Sequence, residues 1–366
     1  MSILSKPISK PRLPSVRLRR SSAHAATVTG LEIGATQAIA AQAHLQDGRI
    51  VADRVAARAL PPGLMRDGLV IDPDGLAAEL KEMFAEHHFS KRVRVGLATP
   101  RTVLRVIDLP PLEERDVKTA LLMQAQERIP MPLDRAVMDF QTVGLVDTPD
   151  GRRLRVIVVV TEREGVDQLL DTLRRAGLKP EGIDLSIFAV IRALGPFDLT
   201  QGPVLYAQLG DLVNIAIAEA GVCRFTRQAP QGLALVLERL AENQAIPIDE
   251  ARTLLKSAAI ERPAAEQDEA GRIVADLLSR TAAELGSELR AAAEFYATQF
   301  GTGAVSTGVV TGQLAPLPGF VEALAAASGL ELTCGEVTAA TAEALGGVDA
   351  RLAPVASGLA VGELGS

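Results

Sequence analysis

Val204-Leu205-Tyr206-Ala207-Gln208-Leu209-Gly210 is an apolar run that stops on a glycine; Asn214 to Glu219, a turn at Ala220-Gly221 and a return from Val222 to Arg227 follow it. Runs of this length, bounded by turn residues, read as three strands of a meander. The same unit stands earlier in the chain. Val28 to Ile33 ends at Gly34, Ala38 to His44 continues, and Asp47-Gly48 turns the chain into Arg49 to Ala56. Setting Gly34 on Gly210 also aligns Ile39 with Ile215 and Ala40 with Ala216. Two copies of a strand, glycine turn, strand and return strand imply a duplicated, two-lobed α/β fold.

Between the copies the rhythm changes. Val103 to Leu109 reads as a strand closed by Pro110-Pro111, and Glu113-Glu114 favour the N-terminus of a helix that ends at Ile129-Pro130. Val137 to Val143 and Leu154 to Val160 read as strands joined through Asp150-Gly151, so residues 101–161 form an inserted strand-helix-strand-strand module. Val166, Leu169, Leu170 and Leu173 then mark an amphipathic helix capped at Gly177. Residues 27–100 and 162–200 make the first lobe. The second lobe takes 201–232 and 301–366, with 233–300 as a mostly helical subdomain interrupted by a polar stretch from Glu261 to Gly271. In the second lobe, Val305 to Thr311 is a strand, Phe320 to Ser328 a helix and Leu330 to Cys334 a strand.

Composition narrows the function. A chain of 366 residues is too long for one ordinary core, and its apolar residues are nearly all aliphatic, with no Trp and two Tyr. A formal charge of −7 argues against a general nucleic-acid binder. Locally, Lys6, Lys10, Arg12, Arg17, Arg19 and Arg20 make residues 1–26 a disordered basic tail suited to anionic lipid. His24 to Ala26 superficially suggests a cleavage site, but no apolar stretch of signal-peptide length precedes it. No window reaches the roughly 18 apolar residues that a membrane span needs. Cys223 and Cys334 have neither metal-ligand spacing nor the number of an oxidised framework, which suits a reducing cytoplasm. His87-His88 suits a helix C-terminus, and no nucleophile-base pairing is recognisable, so neither a metal nor a catalytic residue is expected.

Two strings carry a resemblance to a known family. Glu127-Arg128-Ile129-Pro130-Met131-Pro132-Leu133-Asp134 with Val137 to Gln141, and Ala176 to Pro180 with Ile183-Asp184 and Phe188, resemble the PilM family of actin-like pilus-assembly proteins, relatives of FtsA. The resemblance implies an actin-like, ribonuclease-H-like duplicated fold with subdomains 1A, 1C (the insert, of SHS2 type), 2A and 2B. It further implies a cytoplasmic scaffold at the inner face of the membrane, touching the membrane through its partner or its tail. A groove between 1A and 1C would hold the N-terminal peptide of a PilN-like single-span membrane protein, and the scaffold would meet other pilus platform or motor components. Arg105, Glu127, Arg128 and Gln141 are the candidate groove residues. The alternatives are a working actin-like ATPase that switches with nucleotide, and a type II secretion platform protein.

Actin-like folds hold nucleotide between the lobes on glycine turns, with an acid from each lobe organising Mg²⁺. Here Gly34, Ala35, Thr36, Gly210, Asp211 and Gly312 are the candidate contacts to ATP and Mg²⁺. The charged partners depart from the family pattern. Glu32 stands for Asp, Ile39 for a frequent Lys, Gln208 for Asp, and Thr311-Gly312-Gln313 for a glycine pair. Efficient hydrolysis is therefore not expected, and the glycines would then serve only tight turns.

Overall fold

A computed structural model of the chain describes residues 27–128, 131–148, 151–195, 202–256, 260, 268–300 and 303–362. The basic tail, Ile129-Pro130, Asp150 and most of the polar stretch after Glu261 lie outside the described residues.

Strands β1 (Thr29–Ile33), β2 (Gln37–Gln46) and β3 (Arg49–Ala59) form the first meander. Its hairpin turns on Asp47 and Gly48, both at positive φ, the geometry that tight hairpins need. A small hairpin of β4 (Met65–Arg66) and β5 (Leu69–Val70) leads into α1 (Pro73–Glu86). The Asp72 side chain caps that helix, accepting from the Asp74 and Gly75 amides, and Leu76, Leu80, Met83 and Phe84 face the core. Strand β6 (Arg92–Leu97) returns parallel to β1.

The insert follows: β7 (Val103–Leu109), α2 (Glu114–Arg128), β8 (Ala136–Thr148) and β9 (Gly151–Glu162). Its sheet runs β7-β9-β8. Val117 and Leu121 of α2 pack on Ile107, Val156, Val158 and Val160, giving the module a core of its own. Then α3 (Arg163–Arg175), β10 (Lys179–Leu185), parallel to β6, and α4 (Ser186–Leu194) complete the first unit.

Strands β11 (Val204–Leu209), β12 (Val213–Glu219) and β13 (Val222–Ala229) repeat the meander. Helices α5 (Leu233–Gln244), α6 (Ile248–Lys256) and α7 (Glu269–Phe300) follow. Helix α7 begins inside the polar stretch expected to interrupt the helical subdomain. Leu278, Leu285, Leu289, Ala292 and Tyr296 recur along it at helical spacing, and their burial outweighs its polar start. Strand β14 (Thr307–Thr311), α8 (Phe320–Ser328) and β15 (Glu331–Cys334) close the second sheet.

The second sheet runs β13-β12-β11-β14-β15, and the first sheet contains β3-β2-β1-β6-β10 in the same topological order. Both begin with an antiparallel meander and add two parallel strands, so the duplication read from the sequence is present in the strand order.

The end of the chain departs from the expectation that 301–366 belongs to the second lobe. Strand β16 (Thr338–Ala339) pairs with β3, and α9 (Pro354–Val361) packs on the first sheet through Ala356 against Ile39, Ala41 and Val55. Reciprocally, Ile187, Val190 and Ile191 of α4 pack with Tyr206, Ala216 and Cys223 of the second sheet. The two helices cross where Gly358 meets Ala189, so closely that a Cβ on Gly358 would lie 2.1 Å from the Ala189 carbonyl oxygen.

Candidate functional site

The turns singled out in the sequence converge on one cleft between the lobes. Gly34, Ala35 and Thr36 come from the β1–β2 turn, Gly210 and Asp211 from the β11–β12 turn, and Gln313 from the loop after β14, around a cavity of about 200 Å³. Gly312 sits just behind, at positive φ against Leu209, with its amide donating to Arg351 O at 2.9 Å. The six residues expected at a nucleotide are therefore brought together.

What they do there is not what their positions suggested. Asp211 reaches across to the first lobe: Oδ2 accepts from the Ala35 amide at 2.5 Å and the Thr36 amide at 3.3 Å, and Oδ1 from Thr36 Oγ1 at 3.0 Å. Gln313 Nε2 donates to the same Thr36 oxygen at 2.7 Å. The N-terminus of α5 is engaged as well, since Leu233 N donates to Gly210 O and Ala234 N to Asp211 O.

Behind Asp211 an amide ladder crosses the second sheet. Gln228 Nε2 donates to Asn214 Oδ1 at 2.7 Å, Asn214 Nδ2 to Gln208 Oε1 at 3.0 Å, and Gln208 Nε2 to Glu32 Oε1 at 2.5 Å. These side chains share a face because their strands pair in register. Burial pushes the Glu32 carboxyl up to about 8, the negative charge of Asp211 adds to the shift, and the Gln208 hydrogen bond opposes it. Burial also raises the Asp211 carboxyl, against its bonds to Thr36 and Ala35 and the nearby charge of Arg252.

A magnesium nucleoside triphosphate does not fit these groups. A carboxylate already occupies the amides that would take phosphate oxygens. Gln208, where a second metal-organising acid would stand, is tied to Glu32. Besides Glu32, whose raised carboxyl keeps its proton at neutral pH, the cleft is lined by the acids Asp67, Asp211 and Glu238 against the cations Arg66 and Arg252, so a polyanion enters against like charge. Arg252 was invisible to sequence reasoning. It lies on α6 with an unremarkable acid three residues before it, and only the packing of α6 beside α5 carries it to the cleft.

The residues proposed for partner binding are dispersed. Arg105 is exposed on β7, where its guanidinium donates to Leu104 O at 3.0 Å. Gln141 is exposed on β8, at the opposite edge of the sheet; Arg105 pairs across from Val158 and Gln141 from Ile157, which puts the two on opposite faces. Glu127 and Arg128 end α2, with side chains outside those described. Arg105 does border a second cavity, of about 250 Å³, where β7 meets Leu97 and Leu185 of the first lobe and Arg227 of β13. Both β7 and β13 are edge strands.

Two ribonuclease-H-like sheets of identical strand order, facing each other across glycine turns, define an actin-like protein, here with an inserted sheet between β6 and α3. Residues 30–346 match the family described as type IV pilus assembly protein PilM, and the chain belongs to that family. Among solved structures it is similar to the PilM-PilN type IV pilus biogenesis complex, with 24% identity over 91% of this chain and 97% of that one and a TM-score of 0.76. It is similar as well to the ethanolamine utilization protein EutJ from Carboxydothermus hydrogenoformans (16% identity, 91% and 88% covered, TM-score 0.56). A third likeness is to MreB 5 of Spiroplasma citri bound to AMPPNP (9% identity, 90% and 94% covered, TM-score 0.51).

Proposed function

We propose that this protein is a cytoplasmic scaffold of the type IV pilus inner-membrane platform, gripping the N-terminal peptide of a PilN-like membrane protein beside its inserted subdomain. The observation that carries the proposal is family membership across residues 30–346, which includes the whole insert. The solved PilM-PilN complex, similar along nearly the full chain, supports the choice of partner. The cavity bounded by Leu97, Val103, Leu104 and Leu185, with Arg105 and Arg227 beside it, supports the place. An extended segment laid there has open strand edges for backbone pairing and apolar walls for alternate side chains.

No helix among the described residues is long and apolar enough to cross a membrane, so the scaffold meets the bilayer through its partner or its basic tail. In this proposal efficient ATP hydrolysis is absent, because the charges that would organise a metal and stabilise a transferring phosphoryl group are replaced. Calorimetry with the N-terminal peptide of the PilN-like protein from the same genome tests the proposal. Saturable binding that Arg105→Glu weakens roughly tenfold is expected; no heat at high micromolar peptide would defeat it.

A further inference from the structure

The structure assigns Asp211 the role of a tethered anion: it fills the phosphate cradle of the first lobe and latches the lobes together, so the chain closes without nucleotide and excludes phosphate groups. This latch is independent of which partner the scaffold holds.

The geometry is that of an anion site already filled. Two successive backbone amides, Ala35 and Thr36, and the Thr36 hydroxyl converge on one carboxylate. Donors grouped in this way bind anions, and an ionised acceptor makes the bonds short and strong. A phosphate oxygen would need the donors that Asp211 holds. The first two amides of α5 bond the carbonyls of Gly210 and Asp211 themselves, which fixes the loop that carries the latch. Gln313 bonds Thr36 Oγ1 and ties the third loop into the same cluster.

Two glycines show that the latch is built into the packing. A Cβ on Gly34 would lie 2.3 Å from Asp211 Oδ2, so the carboxylate enters only because position 34 has no side chain. A Cβ on Gly232 would lie 2.3 Å from Asp211 O, so the start of α5 presses directly on the loop. The groups facing Asp211 agree with its being the anion of the site: Glu32 holds its proton at neutral pH and so brings no competing charge, Glu238 repels a further negative charge, and Arg252 is the near cation.

Because Gly34 and Asp211 meet at one point, they define a double-mutant cycle. Gly34→Ala should lower the unfolding midpoint in the native background and change it little in Asp211→Ala, where the space is empty. An equal loss in both backgrounds overturns the latch. Lobe separation gives an independent readout, with spin labels at Lys81→Cys and Glu242→Cys in a Cys334→Ser chain. A narrow distance distribution unchanged by ATP with magnesium is expected for the native cleft, and a broader one for Asp211→Ala, which leaves the Ala35 and Thr36 amides and the Thr36 hydroxyl without their acceptor. Identical distributions in the two overturn the proposal. In equilibrium dialysis against ATP with magnesium, and against inorganic phosphate, Asp211→Ala should bind at least roughly tenfold more tightly than the native chain. Native binding as tight as the variant's overturns it too.

Discussion

Glu32 sets a pH dependence whose size follows from its surroundings. Its carboxyl is pushed up to about 8 in the folded protein from the ordinary 4.5, chiefly because it is desolvated and secondarily because Asp211 is close. Between those values the folded state holds a proton that the unfolded chain has released. Stability therefore falls as pH rises through this window, and the loss is complete above the folded value. One pKa unit corresponds to about 1.36 kcal/mol, so the full shift would cost about 5 kcal/mol. Glu32 keeps part of its surface open to the cleft, and solvent there reduces the expected loss to roughly 2–3 kcal/mol. Glu32→Gln keeps an acceptor for Gln208 and removes the titration. Denaturant unfolding of both proteins from pH 5 to pH 9 isolates the effect, because groups common to the two cancel in the difference. Near-equal stability at pH 5 is expected, with the variant ahead by that margin above pH 8. A difference that stays flat across the range would refute the account of the cleft as a place where a charged Glu32 is poorly tolerated.

Two further outcomes test the architecture. Gly358→Val forces a side chain into the crossing of α4 and α9, where even a Cβ lies 2.1 Å from the Ala189 carbonyl; a loss of about 3 kcal/mol is expected. Gly303→Ala, in open space, is the control, and equal melting temperatures for the two variants would show that the crossing is not tight. Leu121→Ala empties a fully buried site in the insert at about 2–5 kcal/mol. Hydrogen exchange should quicken in β7 and β9 and stay slow in β11 and β12; uniform quickening would mean that the insert has no separate core.

The meanders were legible because their turns and alternation are local. Asp47-Gly48 and Ala220-Gly221 need only their own backbone geometry, and the strands between them carry their burial in their composition. Helix α9 was not legible: it is buried on nearly every side from Pro354 to Ala360, so it shows no amphipathic period. Strand β16 is two residues long and exists only because β3 offers it an edge. The convergence of the three glycine turns followed from the duplication. The direction of the Asp211 side chain did not, since nothing near it in the chain records that the first lobe points amides at it.

These two failures have one physical source and bear on one question, namely what holds the lobes. In a nucleotide-dependent cleft, much of the closing force comes from the ligand, which contacts both sides. Here the contacts across the cleft come from the chain: Asp211 to Ala35 and Thr36, Gln208 to Glu32, and Gln313 to Thr36. Behind it, α4 packs on the second sheet and α9 on the first, and they cross at Gly358. Each lobe thus contributes a helix or a loop to the other's core. A scaffold needs a fixed surface for its partner, and lobes bonded to one another in this way provide one without a ligand, whereas a motor would need those bonds to break in every cycle.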